Sequence, residues 1–193
     1  MDNKIELELI RNLASKIEKL SGGMTTYIIE NYSKLNQPIL IAFSDGAANK
    51  IFIYNTQNGS DAIGRIRYTN RTDKVYISSF EVERKYQQRG LGKLLFNLAL
   101  AHADYIGVTK AYGHATPINE VLGINSANED SFEQILQVLF VVYEKLGCKF
   151  DFHGENNTFT QLWKSGERFN KLPQDIQNTI KIFEERKNSH SIL

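Results

Sequence analysis

The sequence predicts a mixed α/β (α+β) fold in one domain, with a mostly antiparallel sheet flanked by helices. Three observations predict it. Residues 3–20 carry apolar side chains at helical spacing. Residues 38–82 break into short runs rich in Ile, Tyr and Phe, separated by turn residues. After Gly92 the apolar period returns to that of a helix.

Ile5, Leu7, Leu9, Ile10, Leu13, Ile17 and Leu20 fall mostly on one stripe, and Gly22-Gly23 ends that first helix. A second short helix is expected from about Met24 to Leu35, so residues 1–36 read as helical. Pro38–Phe43, Ile51–Asn55, Ala62–Tyr68 and Val75–Val82 read as four strands of an antiparallel meander. Asp45-Gly46, Asn58-Gly59-Ser60 and Asn70–Asp73 supply the turns. Leu91, Leu94, Leu95, Leu98 and Leu100 mark a helix to about Tyr105. Lys110–Ala115 reads as a strand, Pro117–Asp130 as an Asn-rich loop, and Ser131–Leu146 as an apolar helix. Lys149–His153 and Thr158–Trp163 form a hairpin around Gly154–Asn157. Pro173 suits the first turn of a last helix, 173–187, with Ile176, Ile180 and Phe183 on one face. That helix packs on the core or serves a homodimer.

Composition narrows the function. Of 193 residues, 23 are Lys or Arg and 22 are Asp or Glu. That balance supplies no field for gripping many phosphates, so no nucleic-acid partner is expected. The single cysteine, Cys148, precludes an internal disulfide. The four histidines lack metal-ligand spacing, so no metal is expected. No run reaches the roughly 20 apolar residues that span a bilayer. No signal-peptide core is present either, so the expectation is a cytoplasmic protein without a membrane partner.

One segment carries chemistry. Val82-Glu-Arg-Lys-Tyr-Gln-Gln-Arg-Gly-Leu-Gly-Lys93 joins a strand to a helix through two glycines. A helix N-terminus offers unpaired N–H groups and the positive end of the helix dipole. Glycines let the backbone approach an anion and adopt positive φ. Together they make a phosphate cradle, and Arg89 and Lys93 add charge. A Walker A loop is excluded, because Leu94 follows Gly92-Lys93 and Gln87 stands where its first glycine belongs. The dinucleotide fingerprint is excluded, because Leu95 stands where its third glycine belongs.

The pattern Gln/Arg-x-x-Gly-x-Gly/Ala is filled by Gln87, Gly90 and Gly92. It resembles the coenzyme A pyrophosphate loop of the GCN5-related N-acetyltransferases (GNAT). A second block agrees: Val142-Tyr-Glu-Lys-Leu-Gly-Cys148 is similar to a family segment ending Tyr-Glu-Lys-Leu-Gly-Phe. Cys148 replaces the Phe, and Leu136 stands where the family often has Asn. The resemblance covers about residues 60–165. It implies an acetyl-CoA cleft between the fourth and fifth core strands and acetyl transfer to an amine. The acceptor is a small molecule or a protein. The implied cofactor-binding residues are Phe80, Val82, Gln87, Gln88, Arg89, Gly90, Leu91, Gly92 and Lys93.

Such transfer needs a proton donor for the thiolate and a base for the amine. Tyr143 matches the family's general acid, with an aromatic packed at a helix end as the plain alternative. The base is harder to find. Strict strand alternation sets Glu81 opposite Tyr76, Ser78 and Phe80, the face where relatives often hold it. His114 is the other candidate, against a satisfied strand-end histidine. A water relay or a loop residue also remains open. Arg65 and Arg67 read as a solvated face, Cys148 as core. A silent acyl-CoA-binding module of the same fold is the alternative function, and a longer acyl donor is a third.

Overall fold

A computed structural model describes residues 3–20, 24–114, 137, 139–151 and 157–190. The Pro117–Asp130 loop and the first turns of the Ser131–Leu146 helix lie outside them. Among the described residues the elements are α1 (Asn3–Leu20), β1 (Thr25–Tyr32), β2 (Gln37–Ser44), β3 (Asn49–Asn55), β4 (Gly64–Asn70), β5 (Val75–Val82), α2 (Leu91–Tyr105) and β6 (Lys110–His114). They continue with α3 (139–145), β7 (Lys149–Asp151), β8 (Thr158–Leu162) and α4 (Gln174–His190).

Eight strands form one sheet in the order β1-β2-β3-β4-β5-β6-β8-β7. β1 to β5 run as an antiparallel meander. β5 and β6 pair in parallel, joined through α2, which supplies the crossover that parallel strands need. β7 and β8 form the expected hairpin, with β8 against β6.

The N-terminal region differs from its expectation. Residues 25–32 are not a helix but strand β1, paired with β2 from Thr25↔Phe43 to Tyr32↔Gln37. β-Branched Thr25, Thr26, Ile28 and Ile29 with Tyr27 and Tyr32 favour a pleated strand over a helix. The meander therefore has five strands, and Pro38–Phe43 lies in the second, not the first.

The sheet has two unlike faces. Ile39, Ile41, Phe43, Ile51, Ile53, Ile66, Tyr68, Val75 and Ile77 join α2, α3 and α4 in the larger core. Leu40, Ala42 and Tyr54 face the other way and receive Ile10 and Ala14 of α1. Because both faces of β2 are covered, its residues are apolar from Pro38 to Phe43 rather than alternating. Ile5 and Leu9 of α1 stand exposed, outside the stripe that packs. No helix among the described residues is long and apolar enough to cross a membrane.

A buried polar chain pins α4 to α2. The His102 ring is fully buried; its Nδ1 lies 2.8 Å from the Tyr68 hydroxyl and its Nε2 2.7 Å from Glu184 Oε2. A neutral ring satisfies both contacts, accepting from Tyr68 at Nδ1 and donating to the carboxylate at Nε2. Burial pushes the His102 pKa down and outweighs the upward pull of Glu184. The bond from His102 holds the Glu184 carboxyl below its ordinary value. The unfolded chain therefore binds more protons than the folded one below about pH 6.5, the ordinary histidine value. The stability from neutral His102 is complete above that pH and is lost as pH falls. Loss of ionised Glu184 adds to it at lower pH. The melting temperature is expected to decline from pH 7 to 5, with a flatter profile in His102→Gln; identical profiles for the two proteins would remove His102 as the cause.

Asp104, two residues later on α2, is also buried, and its carboxylate accepts from the N–H groups of Gly166, Arg168 and Phe169 at 2.8–2.9 Å. This clasp fixes the approach of the chain to α4.

Candidate active site

β5 continues past its described pairing with β6 toward the phosphate-type loop. Their ladder covers only Val75↔Ala111, Tyr76↔Tyr112 and Ile77↔Gly113. Beyond it β6 ends at His114, while β5 runs on to Val82 with no β6 partner among the described residues. Among the described residues, the edge of β5 from Ser78 onward thus has no neighbouring strand on the β6 side.

α2 begins at the far end of that edge. Gly90 is its N-cap, in the left-handed conformation at φ 75°, with no capping side chain. Gln88 also has positive φ, at 61°. No acceptor among the described residues meets the N–H groups of 90–93, while Leu94 N–H returns to the Gly90 carbonyl. Four donors at the positive end of a 15-residue helix make a cradle for an anion.

The predicted loop residues divide by role. Gln87 does not stand free for phosphate: its Nε2 donates to the Val82 carbonyl at 3.0 Å and ties the loop to β5. Leu91 is buried in the core. A Cβ at Gly92 would come 3.0 Å from Phe80 Cζ, so this glycine serves the approach of α2 to β5. Phe80 and Val82 are half-buried against the core. Arg89, Gln88 and Lys93 are exposed around the helix start.

Two residues escaped the sequence reading. Tyr32 donates its hydroxyl to the Arg89 carbonyl at 3.0 Å, and a Cβ at Gly90 would lie 3.2 Å from Lys34 Nζ. The β1–β2 turn therefore lays an ammonium on the loop. A cation at the positive end of a helix, beside Arg89 and Lys93, is unfavourable unless an anion joins it. No local sequence signal marks this contact, because it depends on a hairpin folding back over 50 residues of chain.

The strand parity expected for Glu81 is corrected. Arg67 pairs with Ser79 but Tyr68 pairs with Ile77, so β5 carries a bulge at Ser78. The extra residue inverts the alternation. Phe80 and Val82 join Val75 and Ile77 on the core face, and Glu81 shares the outer face with Tyr76. Glu81 is held in an ion pair by Arg65, its cross-strand neighbour. His114 is exposed at the end of β6, edge-on to Tyr76 at 6.0 Å.

Tyr143 lies on α3, on the core side of the sheet. Its ring stacks on Phe159 at 4.2 Å and 17°, with Phe150 at 6.0 Å. Burial raises its hydroxyl pKa, with a smaller contribution from Cys148. Cys148 is buried too, its thiol pushed up to about 12 by desolvation, which leaves it a packed thiol rather than a nucleophile.

The fold matches solved structures. A cAMP-binding acyltransferase from Mycobacterium smegmatis superposes with TM-score 0.57 at 12% identity, covering 93% of this chain and 60% of that one. A point mutant of it gives 0.58 at 12% identity, covering 92% and 59%. A putative acetyltransferase of the GNAT family from Desulfovibrio desulfuricans gives 0.45 at 12% identity, covering 60% and 69%. This chain thus spans about 60% of the mycobacterial chain's length. No curated protein matches the sequence. The model of the acetyltransferase (GNAT) family matches residues 17–121, more than half of the chain, and the protein belongs to that family.

Proposed function

We propose that the protein moves an acetyl group from acetyl-CoA directly to a primary amine. The observation that carries this reading is the alignment of the unpaired N–H groups at 90–93 with the edge of β5 that has no strand partner among the described residues. The first suits a pyrophosphate. The second suits an extended amide-bearing arm, which can bond to strand edges as another strand would.

In the reaction the neutral amine attacks the thioester carbonyl carbon and a C–N bond forms. The C–S bond then breaks and the electron pair leaves on sulfur. Tyr143 is the proposed general acid for that thiolate. The proton released by nitrogen passes to water or to His114 at the end of β6. Glu81 is the weaker base, since Arg65 holds it. The same ion pair favours one alternative: a silent acyl-CoA-binding module that lacks a base.

Thermal unfolding with and without acetyl-CoA tests the first half, because a ligand selective for the native state raises the melting temperature. Thiol release against a panel of amines tests the second. Stabilisation with release establishes the enzyme. Stabilisation without release supports the silent module, and no stabilisation at saturating acetyl-CoA sinks both readings.

Lys34 gives a further prediction. An exposed charge pair contributes up to about 1 kcal/mol, roughly fivefold in affinity. Lys34→Gln is expected to weaken acetyl-CoA binding by about that factor at low salt, with the difference shrinking as salt rises. Calorimetry at two ionic strengths checks it; equal affinities would leave Lys34 a bystander.

A further inference from the structure

The outer face of β5 and β6 carries a feature that the acetyl-CoA side does not use. Tyr76 and Tyr112, paired across the parallel ladder, hold their rings 4.9 Å apart. Both point away from α2, since their neighbours Val75, Ile77 and Ala111 face the core. The described pairing ends at Ile77 and Gly113, so these rings border the stretch of β5 that has no β6 partner among the described residues, and His114 continues the aromatic surface at the end of β6.

Two cations lie over the rings. The Arg71 guanidinium sits 5.6 Å from the Tyr76 centroid and 5.8 Å from that of Tyr112. Lys74 Nζ sits 4.8 Å from the Tyr112 centroid. The turn that carries them is closed by the Arg71 N–H to the Lys74 carbonyl, at 2.8 Å. Neither cation has a carboxylate partner among the described residues, although Asp73 lies in the same turn. Arg67 on the adjacent strand is also exposed and unpaired on this face.

We infer that this platform is the acceptor subsite, and that it selects an amine bearing a carboxylate. The inference rests on the acetyl-transfer reading and specifies its substrate. Bare aromatic faces would attract an ammonium, as in a cation cage. Here Arg71 and Lys74 already occupy those faces and repel a second cation. What they lack is an anion. A carboxylate bound between them receives charge-assisted hydrogen bonds, with the guanidinium able to present two parallel donors. The rings beneath keep both cations in place and exclude water from one side. An acceptor so held directs its amine along the strands toward His114 and the stretch of β5 beyond Ile77. A polyamine meets like charge at both Arg71 and Lys74.

The test measures thiol release from acetyl-CoA with α-amino acids, their matching amides and spermidine. The acids are expected to be acetylated with KM at least tenfold below that of their amides, and spermidine to be the poorest acceptor. In Arg71→Glu/Lys74→Glu the KM for the acids is expected to rise 10- to 100-fold and the preference over amides to vanish. Stabilisation by acetyl-CoA is expected to persist, which also reports that the variant folds; Arg71→Gln/Lys74→Gln serves if the reversed charges unsettle the turn. Equal rates for acid and amide, preference for spermidine, or an unchanged KM in the variants would overturn the inference while leaving the transferase reading intact. Absence of release with every amine would sink the transferase reading and this one with it.

Discussion

Gly90→Val is expected to abolish measurable acetyl-CoA stabilisation. Three effects act at one atom. The residue holds φ 75°, a region that L side chains adopt at a cost of about 1–3 kcal/mol and β-branched ones at more. A Cβ there would meet the Tyr32 hydroxyl at 3.0 Å and Lys34 at 3.2 Å, displacing the turn that covers the loop. It would also intrude where the backbone must meet an anion. A loss of about 3 kcal/mol is a factor of more than 100 in affinity. Gly90→Ala keeps the strain and the Cβ contacts and removes only the two γ-methyl groups, so it isolates the effect of the Cβ from that of the β-branch. The folded state suffers less than binding does, because the strain sits at a loop and the atoms that must give way are the ends of the Tyr32 and Lys34 side chains. Thermal unfolding with and without acetyl-CoA reads both quantities. An unaltered ligand-induced shift in Gly90→Val would withdraw the loop from the binding site.

The contrast between Gly90 and Glu81 shows what a linear sequence discloses. Gly90 was legible because its chemistry is local: a strand, a turn of positive φ and a helix start, all within a dozen residues. The α2 helix, the β7–β8 hairpin and α4 were legible for the same reason, each being marked by its own period and turn residues. Glu81 was misplaced because a period of two assumes an unbroken ladder. The bulge at Ser78 depends on the register between β4 and β5, which no residue in β5 announces. The helix expected over 24–35 failed differently. Its apolar residues fit a helical stripe loosely, but the Thr-Thr-Tyr-Ile-Ile run prefers a pleat, and pairing with the apolar β2 decided the outcome. Lys34 and Tyr32 became visible only after that correction. A helix there would not have formed the hairpin whose turn reaches Gly90.

Tyr143→Phe is the substitution that separates packing from chemistry. The ring stacks on Phe159, and phenylalanine keeps that stack while removing one oxygen. If Tyr143 only packs, the variant should match the parent in both stability and turnover. If its hydroxyl serves the leaving thiolate, turnover falls while acetyl-CoA binding stays nearly intact. General acids contribute roughly 10²- to 10⁴-fold. Burial raises the hydroxyl pKa, which keeps it protonated at every assay pH but makes it a weaker donor. The expected loss is therefore at the low end, about 100-fold in kcat. The same shift fixes the pH dependence: deprotonation of Tyr143 places no alkaline limb below about pH 10, the ordinary tyrosine value. A rate fall near pH 8 that disappears in Tyr143→Phe would contradict the burial, and an unaltered kcat would reduce Tyr143 to a core aromatic. The outcome also bears on the silent module, because a chain without turnover does not need the Tyr143 hydroxyl.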